Sequence, residues 1–393
     1  MSRLRDKVAA VGVGYSAIER TSSRSLGVLT MEAIQRAVED AGLAIEDIDG
    51  LATFPEIPVF GNPHVDGVDV VSTSYMVRML GLEGKLRWHT HTDNLVPNTF
   101  IETANAVAAG ACDYAVIFRA MHNPGGRYNA YTSNLAVGRH QFTAPYGSHR
   151  GYQYYGSAYQ RYMHLYGATR EHMATLILNN RRNAHLNPNA YFRDVPLTKE
   201  DYMNARMLAD PVCLLDCDIP VDGAAAIVLT SGERARALPN APAYVAGYGQ
   251  FSSPSLSMGP PLEHLLEGAA AVADRMWEAA GIGPGDIRLA QFYDGYSFFV
   301  YFWLEACGFC KAGEAFEFIQ DGRIELEGEL PVNTFGGQLG EGRLHGMGHL
   351  AEAVLQTSGR AGERQVRSVD ATLAAVGPMN AGSAAIVFTR EPV

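Results

Sequence analysis

No apolar run in this chain approaches the roughly 20 residues that a bilayer-spanning helix needs. The opening Met1-Ser-Arg-Leu-Arg-Asp-Lys7, followed by Val8–Gly12, faintly mimics a secretory leader. Its apolar part is short, is broken by glycine and recurs at residue 243, so it reads as a first strand. Basic residues are also few. Lys and Arg number 31 against 42 Asp and Glu, a net charge of −11. Phosphate binding needs a basic surface, so nucleic acid is not expected as the main partner, although a local basic patch for a phosphorylated ligand is compatible with this balance. Cysteine is scarce, five in 393 residues, and an odd number in a large chain suits a reducing cytoplasm. Cys213-x3-Cys217 and Cys307-x2-Cys310 could be imagined as a four-thiolate zinc site. The pairs fall in different halves and lack the turn residues of a zinc knuckle, so buried structural thiols are the better reading and no metal is expected. What remains is 47% hydrophobic and 19% charged, the balance of an ordinary folded protein large enough for two domains or one double domain.

The chain repeats part of itself. Gly223-Ala-Ala-Ala-Ile-Val-Leu-Thr230 returns as Gly382-Ser-Ala-Ala-Ile-Val-Phe-Thr389. Ala41-Gly42-Leu43 with Asp47-Ile48 returns as Ala280-Gly281-Ile282 with Asp286-Ile287. Val8–Tyr15, with Gly12 and Gly14, is echoed by Ala243–Gln250, with Gly247 and Gly249. The order is the same in both halves, which points to a duplicated unit. The halves are 1–236 and 241–393, joined by the short Ala237–Pro242 stretch. Apolar residues at helical spacing predict helices over 26–41, 97–109, 264–280 and 348–358. Buried strands are predicted over 7–15, 48–54, 112–118, 222–231, 243–249, 287–293 and 383–389. Residues 120–210, rich in Tyr, Asn, His and Arg, have no counterpart in the second half and read as an insertion covering the site. Alternation of strand and helix implies an α/β protein with two mostly parallel sheets, and helices outside and between them.

Three motifs carry candidate chemistry. Gly12-Val-Gly14-Tyr-Ser-Ala17 fits the dinucleotide pattern, but the helix opens only after the polar loop Glu19–Ser25, so a tight turn after a strand is preferred. His345-Gly-Met-Gly-His349 follows the glycine-rich run Gly336–Arg343. Backbone N–H groups of such a run, including those around Gly336 and Gly337, can approach a ligand, and the helix N-terminus behind them favours negative charge. An oxyanion-binding site is expected there rather than a loop with a packed histidine. Tyr293-Asp294-Gly295-Tyr296 ends a strand of the second unit, at the sheet edge where α/β ligands bind. A phenol with an ordinary pKa of about 10 needs a nearby positive charge to act as a base, and Arg343 is the candidate to supply it.

With these pieces in place the chain resembles the thiolase superfamily, and within it the sterol-carrier-protein-x-like lipid-transfer branch that includes the steroid side-chain aldolases. The resemblance runs over nearly the whole chain. It is carried by Phe142-Thr-Ala-Pro-Tyr-Gly147, Asp201-Tyr202, Arg206–Pro211, Leu214-Leu-Asp216-Cys217 and Asp222-Gly223-Ala-Ala-Ala226. In the second half it is carried by Tyr293-Asp294, Gly308-Phe309-Cys310, Leu330–Thr334 and Gly336–His349. It implies the layered α-β-α-β-α double fold of two repeated halves.

The departures from the family pattern bear on chemistry. Thiolases carry a nucleophilic Cys before the helix that here begins near Pro97, yet Thr90–Pro97 holds none. The second thiolase cysteine would fall in Val376–Asn380 and is also absent. The resemblance therefore implies retro-aldol cleavage of a bulky β-hydroxyacyl-CoA, without a covalent acyl-enzyme. Acyl transfer by an atypical nucleophile, or a non-catalytic acyl-CoA-binding subunit, are the alternatives. In the aldolase branch a second tyrosine stands where this chain has Arg343. Tyr293 is expected at the cleaved hydroxyl, with Arg343 beside it and His345 taking over proton transfer. Asp93, Asn94, Asp294, Tyr296, Gly336, Gly337 and His349 are candidates to line the pocket. No cofactor is expected beyond the coenzyme A of the substrate. The resemblance further implies a homodimer and a small OB-fold, zinc-ribbon partner protein.

Overall fold

The computed structural model describes residues 4–54, 64–92, 95–123, 136, 141–148, 150–251, 259–379 and 382–393. Its strands are β1 (Val8–Tyr15), β2 (Gly50–Thr53), β3 (Trp88–His91), β4 (Tyr114–Met121), β5 (Met207–Ala209), β6 (Val212–Cys213), β7 (Gly223–Ser231), β8 (Ala243–Phe251), β9 (Leu289–Phe292), β10 (Ala371–Val376) and β11 (Ser383–Thr389). Nine of them lie in the order β3-β2-β4-β7-β1-β8-β11-β10-β9, and β5 pairs with β6 alone. The first half thus runs β3-β2-β4-β7-β1. The second, read back from its far edge, runs β9-β10-β11-β8, the same winding without a counterpart of β3 among the described residues.

Two expectations need correction. The sheets of the two halves are joined at one edge, where β1 meets β8 through two residue pairs, Ala9↔Tyr244 and Ala10↔Ala243, so the two β layers are continuous with each other. The strands are also not mostly parallel. Only β2 with β3, β2 with β4, and β9 with β10 run parallel. β7 lies antiparallel between β1 and β4, and β11 antiparallel between β8 and β10. A strand buried on both faces is a continuous apolar run whichever way its neighbours point, so the sequence carries no mark of direction.

Helix Leu26–Asp40 buries the stripe Leu26, Leu29, Ala33, Ile34, Ala37 and Val38 against the first half. Helix Leu262–Ala280 does the same for the second and ends at Gly281, whose φ of +71° a side chain would strain. These two helices explain the Gly-x-Gly echo. Gly12 and Gly14 lie inside β1, not in a turn after it. A Cβ at Gly14 would sit 2.3 Å from the Ala33 carbonyl oxygen, and one at Gly249 1.9 Å from that of Val272. The glycines let strand and helix backbones touch.

Helices Val96–Ala108 and Met347–Thr357 contact strands of both halves and form the layer between them. The result is the expected α-β-α-β-α stack. The inserted helices Gly151–Tyr166 and Arg170–His185 lie over the second half. Tyr159 is buried and stacks on Phe298 at 4.8 Å, whereas Tyr146 is 85% exposed.

Candidate active site

The glycine-rich run does hold an anion, but the anion is internal. Asp294 is fully buried. Its carboxylate accepts from the Gln338 amide at 2.8 Å, from Asn180 Nδ2 at 2.8 Å and from His349 Nε2 at 3.0 Å. A Cβ at Gly337 would lie 1.9 Å from Asp294 Oδ2, and one at Gly336 2.8 Å from the Ala184 Cβ. Gly336, Gly337, Asp294 and His349 therefore form a closed knot. Within the run Gly336–Arg343, the amides of Gln338 and Leu339 turn to this internal carboxylate, while those of Gly336 and Arg343 donate to the Asn333 and Ile219 carbonyls. His349 is fully buried, and its ring stands T-shaped to Phe335 at 5.0 Å.

Tyr293 follows β9 directly, and its amide donates to the Ala375 carbonyl at 2.9 Å. The ring is 8% exposed and lies near-parallel to Phe299 at 6.2 Å. It folds back over Gly295, where any Cβ would come within 2.9 Å of the hydroxyl. Tyr296 faces the other way. It stacks on Phe298 at 5.7 Å, and its hydroxyl lies against Gly151 at the start of an inserted helix. Asp93 and Asn94 lie outside the described residues.

His345 and Arg343 sit on the loop that leads into helix Met347–Thr357. His345 has φ +52° and Gly346 φ +93°. Two successive left-handed residues turn the ring out of the loop, a conformation rare enough outside glycine to suggest function. Arg343 is anchored: its amide donates to the Ile219 carbonyl at 2.9 Å, and its Nε lies 3.6 Å from the buried Asp218 carboxylate. On the other side stands a residue that the motifs did not single out. Arg119, on β4, is 6% exposed, and its Nη2 lies 3.0 Å from His345 Nδ1. Its guanidinium covers the Phe54 ring at 5.0 Å, and that ring is 5.9 Å from the His345 ring. Among the described residues no carboxylate pairs with Arg119. The signal in the sequence was a lone arginine in the apolar strand Val116-Ile-Phe-Arg119-Ala-Met121.

The electrostatics follow from this crowding. Burial, with Arg343 close by, pushes the Arg119 guanidinium down to about 9, which leaves it charged at neutral pH, and attraction to Tyr293 opposes the fall. Tyr293 is thus within electrostatic reach of Arg119. Burial and the two guanidiniums hold His345 well below its ordinary range, so the ring is neutral. A guanidinium has only donors, so the histidine nitrogen facing it must accept. That lone pair is the one a general base would use, which goes against the expected role of His345 in proton transfer.

The thiols offer no nucleophile. Cys112 is buried, and burial pushes its thiol up to about 12; Cys213 and Cys310 are raised to about 12 as well. No group of three or more His, Cys, Asp and Glu side chains is placed to hold a metal among the described residues.

Residues 251–390 match the family described as Thiolase C-terminal domain-like. The chain is 36% identical over 371 residues to 17-hydroxy-3-oxo-4-pregnene-20-carboxyl-CoA lyase of Mycobacterium tuberculosis, spanning 91% of this chain and 92% of that one. It is 34% identical to the steroid side-chain-cleaving aldolase of Thermomonospora curvata, over 90% of this chain and 91% of the relative. This chain belongs to the steroid side-chain aldolase branch of the thiolase superfamily. Among solved structures, the Ltp2-ChsH2(DUF35) aldolase superposes with a TM-score of 0.85 at 33% identity, covering 99% of both chains. In this branch member, then, the thiolase fold is kept. No thiol stands in the nucleophile window Thr90–Pro97, and a neutral histidine sits between two guanidiniums at the strand ends.

Proposed function

We propose that this chain is a carbon–carbon lyase that cleaves a bulky β-hydroxyacyl-CoA, a steroid side-chain CoA thioester being the favoured class, into a ketone and a short acyl-CoA. The observation that carries this reading is a thiolase fold without a cysteine in the nucleophile window that still concentrates buried positive charge within electrostatic reach of a tyrosine. Retro-aldol cleavage needs that combination. A base removes the β-hydroxyl proton, the Cα–Cβ bond breaks, and its electrons flow into a thioester enolate, which is then protonated at carbon. Tyr293 sits at the hydroxyl, and the positive charge a phenol needs to act as a base comes from Arg119. His345 offers its free N–H to the thioester oxygen as negative charge grows there, a contribution of about 3–4 kcal/mol for a fixed donor. Arg343, held by Asp218, adds to the field. The bent glycine loop and Asp294 hold these groups in place.

The chemistry asks for no cofactor beyond the coenzyme A that the substrate carries. The name of the solved relative joins two proteins, which supports a second component here, and we take it to be a small OB-fold, zinc-ribbon protein acting on a homodimer of this chain. No helix among the described residues is long and apolar enough to cross a membrane; together with five unpaired cysteines this supports work in the cytoplasm. The test is to coexpress the chain with its neighbouring gene product and incubate it with a β-hydroxyacyl-CoA bearing a tertiary hydroxyl. A ketone and a shortened acyl-CoA by mass spectrometry are expected. No cleavage with the partner present would overturn the reading, and an acyl adduct on the intact protein would replace it with acyl transfer.

A further inference from the structure

We propose that Arg119 is a positioning residue that locks His345 into its Nε2–H tautomer, making the ring a hydrogen-bond donor to the substrate instead of a proton acceptor. Hydrogen-bonding capacity fixes the tautomer. Arg119 Nη2 is 3.0 Å from His345 Nδ1, and a guanidinium cannot accept a hydrogen bond. Nδ1 therefore accepts. The one proton of a neutral imidazole must then sit on Nε2, on the far edge of the ring from Arg119.

Charge around the ring keeps it in this state. Arg119 reaches it from β4, and Arg343 is two residues away on the loop of His345 itself. Phe54, from the end of β2, is apolar. The buried carboxylate of Asp218 is engaged with Arg343 and with Gln338 Nε2 at 3.3 Å. An imidazolium would face two like charges and lose its hydrogen bond to Arg119. Arg119 is itself fixed: Nη1 donates to the Ala120 carbonyl, and the plane of the group rests over Phe54. Among the described residues this buried guanidinium has no carboxylate partner, a costly arrangement that fits a site where negative charge develops. Sequence reasoning placed a titrating histidine here. The geometry replaces it with a fixed dipole, backed by a cation on the opposite edge of the ring.

The role in turnover rests on the lyase reading above, but the tautomer does not, so the two can fail separately. The test is 15N NMR of the full chain labelled at histidine, with His345→Gln assigning the signal. Without substrate, we expect an unprotonated Nδ1 and a protonated Nε2 that hold unchanged as the pH is lowered through about 6.5, the ordinary histidine value. In Arg119→Met the two ring-nitrogen signals of His345 should move toward the average of mixed tautomers, and kcat should drop roughly 10²-fold with KM changed far less. Arg119→Lys, which restores a charged donor, should recover part of kcat and bring back the Nε2–H form. An Nδ1–H tautomer or a charged ring in the unmodified protein at neutral pH would overturn the proposal, and that result needs no variant to fold. So would an Arg119→Met protein whose two His345 ring-nitrogen signals match those of the unmodified protein. Absence of cleavage of any thioester alongside the expected NMR result would sink the lyase reading alone.

Discussion

With His345 neutral beside Arg119 and Arg343, the proposed mechanism assigns the uptake of the hydroxyl proton to Tyr293. Tyr293→Phe removes one oxygen from a ring held by Phe299 and Gly295. It should leave the melting temperature near that of the unmodified protein and lower kcat by ~10²–10⁴-fold, the usual contribution of a positioned acid or base. Ketone release measured under saturating substrate checks this, and full activity would remove Tyr293 from the mechanism. A second residue matters to stability. Glu341 is buried beside Tyr15, Glu352, Arg364 and Asn187, and burial pushes its carboxyl up to about 8 from 4.5. The folded protein keeps a proton there that the unfolded chain releases at lower pH. The stability this gives is complete below 4.5 and is lost as the pH rises through about 8. Glu341→Gln should therefore narrow the fall in melting temperature between neutrality and about pH 9. An unchanged fall would show that Glu341 does not titrate with unfolding. At this scale the sequence was partly legible. Tyr293, Arg343 and His345 lie in motifs that punctuate strand ends. Arg119 does not, because its meaning comes from a residue 226 positions away.

Among the elements, the repeat was legible because close packing needs glycine at fixed places. Gly14 and Gly249 occupy the same role in β1 and β8, against helices Leu26–Asp40 and Leu262–Ala280. Either one changed to valine should cost about 1–3 kcal/mol as the helix is pushed off its strand. Thermal melts should show similar losses for the two, and a harmless Gly249→Val would contradict the contact. Strand direction and the short elements were not legible. β3 reads Trp88-His-Thr-His91 with partly exposed and exposed residues alternating, too short and too polar to stand out. Helix Phe299–Ala306 is buried over most of its surface and shows no amphipathic stripe to detect.

In the whole molecule, helices Val96–Ala108 and Met347–Thr357 belong to both halves at once. Asn98 ties them further: it donates to the Gly382 carbonyl and accepts from Gln250 Nε2 at 2.7 Å. One apolar cluster includes Phe100, Ile227, Val354 and Ile386. The halves that the repeat separates should consequently unfold together. Calorimetry should record one transition, and residues 1–236 expressed alone should fail to fold, since their shared helix would face water. Two resolved transitions would show instead that the halves are independent. The filled knot at Asp294 has a consequence for anyone who wishes to widen the range of thioesters accepted. The Gly336–Gly342 segment looks like the natural target for diversification, yet two of its amides, those of Gln338 and Leu339, already serve an internal carboxylate. Libraries varied there will be culled by misfolding before selection can act on turnover. Phe54 and Arg343 border the histidine, but each has a partner of its own, Arg119 over the ring and Asp218 beside the guanidinium, so variation there should alter turnover before it alters the fold.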